Sequence, residues 1–211
     1  MQETNKYLKL ARTAREEGNT EDAKKFYDIV RTEDPENGEA KFFYPFFALY
    51  EGTNGEIAKR FQNLTNVLEP AVKLVALSAE TDEEKAEVIR AMVKEYTPLT
   101  WSLNRYMNTL TVGSGQNQTR VLSSRDITAA GEAGVIGLYR LGDAIAKYFS
   151  DRPEILSLAV TPWKEGVSLQ QKWYAYKYDG KKPEEYAEKI KKIEPSYEMP
   201  KKAGCISIGR K

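Results

Sequence analysis

The chain has no histidine and a single cysteine, Cys205, among its 211 residues. The missing imidazole removes several chemistries at once: a Ser–His–Asp or Cys–His nucleophile system, a His-ligated zinc or iron centre, and a histidine pH switch. One cysteine allows neither an internal disulfide nor a CxxC redox or zinc motif. Net charge is nearly missing too, with 32 Lys+Arg against 31 Asp+Glu, whereas a dedicated nucleic-acid binder normally carries a net basic footprint. Long apolar runs are absent. The longest candidate, Val67 to Leu77, is interrupted by Glu69, Pro70 and Lys73, and falls short of the roughly 18 apolar residues of a membrane span. Residues 2–6 (QETNK) lead straight into an amphipathic segment instead of a signal-peptide core. The expectation is a globular cytoplasmic protein with no cofactor, no metal, no nucleic-acid partner and no membrane contact.

What is present is helical periodicity almost throughout. Tyr7, Leu10, Ala11 and Ala14 recur at three- and four-residue spacing up to Gly18, a natural helix-ending glycine. Thr20 reads as an N-cap, with Ala23, Phe26, Tyr27 and Val30 as the next apolar face and Asp34-Pro35 as its stop. A third helix starts near Asn37 and carries Ala40, Phe42, Phe43, Phe46, Phe47 and Tyr50. Two long ridges follow. Ile57, Phe61, Leu64, Leu68, Val72 and Val75 make one; Ala86, Ile89, Val93, Tyr96, Thr100, Leu103, Met107 and Leu110 make the other. Their spacing suits the seam of a long antiparallel hairpin, which Pro70 and Pro98 should bend or split.

Residues 112–123 (VGSGQNQTRVLS) are polar and aperiodic, a loop between a front part, 1–111, and a back helical group, 124–195, packed on it. That group should contain a helix near 124–149, broken by Asp151-Arg152-Pro153, another from about Pro162 to Asp179-Gly180, and a last one from Pro183 to Glu194-Pro195. Residues 196–211 read as an irregular tail. The fold class expected is all-α.

Residues 4–37 carry a repeat-like spacing: Tyr7, Leu10 and small Ala11 in one helix, Gly18-Asn19 at the turn, then small Ala23, aromatic Tyr27, Val30 and the closing Pro35. This unit resembles a tetratricopeptide repeat, in which small residues let two helices approach and aromatics fill the groove between repeats. The next unit would begin at Gly38, but Pro45 stands where the family wants a small residue and the following helix is too long for one repeat. Residues 183–195 (PEEYAEKIKKIEP) resemble a degenerate second helix of the same kind. The chain as a whole resembles the tetratricopeptide-like modules of larger bacterial proteins; the zinc ribbon that precedes some of them has no counterpart in this sequence.

The resemblance implies that first-helix positions on the concave side contact a partner peptide. Carried over, these are Asn5, Leu8, Arg12, Arg15 and Glu16 in the first unit, and Glu39, Phe42, Phe46 and Tyr50 in the second. Two arginines beside aromatics could hold a carboxylate of a partner. The alternative is that the arginines form a solvated face and the aromatics are core.

Other features read as structural. Gly131, Gly134 and Gly137, with Gly142 behind, are packing notches, and Gly113-Ser114-Gly115 lacks the Gly-Lys-Ser/Thr ending of a phosphate loop. Glu83-Glu84 and Glu184-Glu185 complement helix starts. The locally basic C-terminal third and Cys205 have no assigned role. The function expected is a non-catalytic protein- or peptide-binding scaffold. The alternatives are a small-ligand binder or enzyme with a pocket between front and back parts, and a subunit that oligomerises through its aromatic run.

Overall fold

A glycine and two asparagines punctuate the first three helices. In the computed structural model, which describes residues 2–51, 56–109, 111–112, 119–120, 123–172 and 182–201, helix α1 (Gln2–Glu16) ends in a left-handed Gly18 with φ of 74°. The Gly18 N–H donates to the Arg15 carbonyl at 3.1 Å and the Asn19 N–H to that of Ala14 at 2.8 Å, the paired bonds of a Schellman turn. Asn19, and not Thr20, caps α2 (Thr20–Glu33): its side chain accepts from the Asp22 N–H at 3.2 Å, while Thr20 is already helical. After Asp34-Pro35, Asn37 caps α3 (Gly38–Phe47) by accepting the Ala40 N–H at 2.9 Å. A 3-10 turn, Ala48–Tyr50, follows.

Helices α4 (Ile57–Leu77) and α5 (Asp82–Thr109) run unbroken through Pro70 and Pro98, so neither proline splits its helix. Between them Thr81 and Glu84 form a capping box. The Thr81 N–H donates to the Glu84 carboxylate at 2.8 Å and the Glu84 N–H to Thr81 Oγ1 at 3.3 Å. Those bonds hold the Glu84 carboxyl below its ordinary range. Two strands of two residues, β1 (Thr111–Val112) and β2 (Thr119–Arg120), pair antiparallel within the expected loop. Four further helices follow among the described residues: α6 (Ser124–Tyr148), α7 (Pro153–Ser157), α8 (Val160–Lys172) and α9 (Pro183–Ile193). Pro153, expected only as a breaker, opens α7, because its fixed φ also suits a first helical turn. The end foreseen at Asp179-Gly180, with Trp173 and Tyr174, and the Cys205 tail lie outside the described residues.

The fold is all-α. Both long apolar ridges are buried over their described length, but not mainly against each other. Helix α4 packs most extensively on α6 and then on α3, with only sparse contact to α5. The three long helices meet at one point: Thr65 of α4 hydrogen-bonds Tyr96 of α5 at 3.0 Å, and both press on Gly137 of α6. Thr100 abuts Gly134, and the Trp163 ring of α8 abuts Gly142. These glycines therefore admit side chains of the neighbouring helices. Backbone does approach backbone at Gly38, where an added Cβ would sit 2.6 Å from Ala71 O and Val75 N of α4. Helix α1 buries Leu8 to 7% exposure and leaves Leu10 at 39%, the reverse of the expected pattern, because Leu8 shares its face with Ala11 toward the core. Among the described residues no helix is long and apolar enough to cross a membrane.

Candidate functional site

The turns at Gly18-Asn19 and Asp34-Asn37 bring three charged residues from two helices together. Arg12 and Arg15 lie one turn apart on α1, and Glu39 is in the first turn of α3. Glu39 is 3% exposed, a carboxylate that must be paired to be tolerated there. Its Oε2 accepts from Arg12 Nε at 2.8 Å and Nη2 at 2.6 Å. Its Oε1 accepts from Arg15 Nη1 at 3.0 Å and from the Tyr27 hydroxyl of α2 at 2.7 Å. Arg15 also donates to the Tyr27 oxygen at 3.0 Å, and its guanidinium lies 4.5 Å from the centre of the Phe43 ring. Glu80, in the turn before α5, stands 3.6 Å from Arg12 Nη2. Burial disfavours the charge on Arg12, but the hydrogen bonds and charge of Glu39, with Glu80 beyond, outweigh it and raise the pKa. Burial, reinforced by the Glu39 charge, pushes the Tyr27 phenol well above its ordinary value.

Arg15 lines two adjoining grooves, and Arg12 and Glu39 the smaller of them. The larger, about 800 Å³, runs between the α1–α2 turn, the end of α3 and Glu95 of α5, with Phe46 and Phe47 in its wall. The smaller, about 350 Å³, lies between α1 and α5 and includes Arg12, Arg15, Glu39, Arg90 and Lys94. Arg15 and Glu95 line both. Phe46 and Phe47 are half-buried, edge to face at 5.2 Å. Arg90 and Lys94 are exposed and make no ion pair among the described residues. Cations and carboxylates thus line both depressions, with an aromatic wall in the larger.

The expected contact residues divide sharply. Arg12, Arg15, Glu16 and Phe46 line the grooves. Leu8 and Phe42 are core, with Phe42 fully buried between Phe43, Phe46 and Tyr96, and offer a partner no surface. Glu39 is a buried acceptor. Asn5 sits elsewhere, on the outer face of α1 beside Lys6, Lys9 and Leu10. The Tyr50 side chain lies outside the described residues. Sequence reasoning missed Phe47, Lys24 and the whole α5 wall, Glu87, Arg90, Lys94 and Glu95. The polar face of α5 is an ordinary solvated one by pattern, and nothing local marks it as opposite α1.

Three lysines of the basic C-terminal third, Lys164, Lys189 and Lys191, are engaged internally. Asp143 of α6 accepts from Lys189 at 2.7 Å, from the Tyr186 hydroxyl at 2.8 Å and from the Trp163 indole at 3.2 Å. Tyr186 stacks on Tyr139 at 3.7 Å, and Lys164 pairs with Glu194 and Lys191 with Glu188. Among the described residues no group of three or more His, Cys, Asp or Glu side chains could hold a metal ion. Compared with protein-family models, curated proteins and solved structures, the chain matches none.

Proposed function

We propose that the chain is a non-catalytic, tetratricopeptide-like helical scaffold of the cytoplasm that binds a carboxylate-bearing segment of a protein partner in the groove between α1, α3 and α5. The observation that carries this reading is the placement of Arg15. Glu39 and the Phe43 ring hold its guanidinium where both parts of the groove meet, while its Nε and Nη2 have no acceptor among the described residues. A guanidinium fixed in advance loses little rotamer freedom on taking up an anion. Phe46 and Phe47 offer apolar area for the same segment, and Arg90 and Lys94, which alternate with Glu87 and Glu95 on the far wall and have no ion-pair partner among the described residues, offer cations that an acidic segment can contact.

Site-specific photo-crosslinking in cells that express the chain tests this. A photoreactive residue replacing Phe47 should label a discrete protein, and one replacing Lys192 on α9 should not. Arg90→Glu with Lys94→Glu, both at exposed positions, should abolish the adduct without unfolding the chain. Equal labelling from both positions, or an adduct indifferent to the charge reversal, would remove the groove as the binding site.

A further inference from the structure

The two groove arginines already hold a carboxylate. We propose that Glu39 is a positioning residue that doubles as a resident competitor, holding Arg12 and Arg15 in place while weakening the groove's hold on an incoming carboxylate. This rests on the reading above that the groove takes a carboxylate-bearing segment. Both oxygens of Glu39 are occupied, Oε2 by Arg12 Nε and Nη2 and Oε1 by Arg15 Nη1 and Tyr27. Arg12 Nη1 and Arg15 Nε and Nη2 are left without an acceptor among the described residues. At 3% exposure Glu39 is out of a partner's reach, so it acts only through the arginines.

The electrostatic sense follows directly. Two guanidiniums face two carboxylates, Glu39 in direct contact and Glu80 3.6 Å from Arg12 Nη2, and any anion entering the groove is repelled by Glu39 as it is attracted by the arginines. Exchanging the carboxylate for an amide removes that repulsion but keeps an oxygen to accept from the guanidiniums. Glu39→Gln should therefore make the folded chain less stable and its groove better at holding anions. A residue with a purely structural role would lower both.

Fluorescence anisotropy of the full chain with a fluorescein-labelled tetraglutamate peptide, and with tetraglutamine as the neutral control, separates these cases. Glu39→Gln should bind tetraglutamate about tenfold more tightly than the unaltered chain, the effect of removing one charge roughly 10 Å away at an effective dielectric near 20. Tetraglutamine should not respond. Tyr27→Phe deletes one hydrogen bond to the same carboxylate and leaves its charge, so it should lower Tm without tightening the probe. Glu39→Asp keeps the charge with a shorter reach to the guanidiniums, so it should lower Tm without tightening the probe; Glu39→Met removes the charge at similar side-chain length, should tighten tetraglutamate binding, and carries the test if the Gln variant does not fold. No tightening in the folded variant overturns the role of Glu39. Tetraglutamate binding that ignores Arg90→Glu with Lys94→Glu overturns the groove itself, a separate outcome.

Discussion

Replacing Gly38 with alanine sets helix propensity against packing. Ala is the better helix former by about 1 kcal/mol, so by local preference the substitution at the start of α3 should stabilise the chain. The new Cβ, however, would lie 2.6 Å from Ala71 O, 2.6 Å from Val75 N and 2.7 Å from Val75 Cγ2. Ordinary contacts between carbon atoms fall at about 3.5–4.0 Å, so the start of α3 must retreat by about 1 Å from α4. Two of the three opposing atoms are helical backbone and cannot rotate aside. Overpacking costs about 1–3 kcal/mol, and a backbone obstacle puts this site at the upper end. The net expectation is a loss of about 2 kcal/mol. With a urea dependence of about 2 kcal/mol per molar, the midpoint followed by far-ultraviolet circular dichroism should fall by about 1 M. Gly18→Ala is the control. Nothing lies within 4 Å of its Cβ and only the φ of 74° opposes it, so it should cost about 1 kcal/mol. A Gly38→Ala chain as stable as the original would refute the close seating of α3 on α4.

Two further outcomes probe other parts of the fold. Burial raises the phenols of Tyr27, Tyr96 and Tyr186 above the ordinary value of 10.0. A raised folded-state pKa of a neutral acid favours the native state below the unfolded pKa, and this stability is lost as pH rises through the folded values. Spectrophotometric titration should therefore find these three tyrosines silent until alkaline unfolding, then ionising with the loss of helix; early, independent ionisation of all 13 tyrosines would contradict their burial. Asp143→Asn should cost about 1–3 kcal/mol, since the amide cannot accept from Lys189, Tyr186 and Trp163 together. Hydrogen exchange should show protection falling in α9 while α1–α3 hold theirs.

The helices themselves were legible because capping chemistry and apolar spacing are local. Asn37, Asp34-Pro35, Pro183 and Glu194-Pro195 mark their boundaries with side chains a few residues from the bonds they make or break. The misread positions follow from the same locality. Thr20 is as good a cap by type as Asn19, and only the backbone, bent by the Schellman turn, decides between them. Pro70 and Pro98 are breakers by propensity, yet tertiary packing on both sides of each carries the helix through. Helix pairing was not legible. The ridges of α4 and α5 state which faces are buried, and an apolar ridge accepts any complementary neighbour; the glycine notches of α6 let Tyr96 and Thr100 of α5 close down on it, and α6 became the main partner of α4.

The candidate site shows where the limit falls for function. Arg12, Arg15 and Glu39 stood out by position, but charge type alone placed all three on a surface, since buried carboxylates are rare. What buries Glu39 is the arrival, from 24 to 27 residues away in the chain, of two guanidiniums at 2.6–3.0 Å. Each charge is admissible there only because the others are present, so neither its burial nor the arginines' fixed pose is a property of any one segment. The same dependence gives the groove its character. An arginine held by an internal carboxylate and an aromatic ring is both ordered and partly spent. A groove built this way should favour reversible capture of an acidic segment over tight retention, and Glu39 is the residue at which that balance can be moved without altering the cations of the groove.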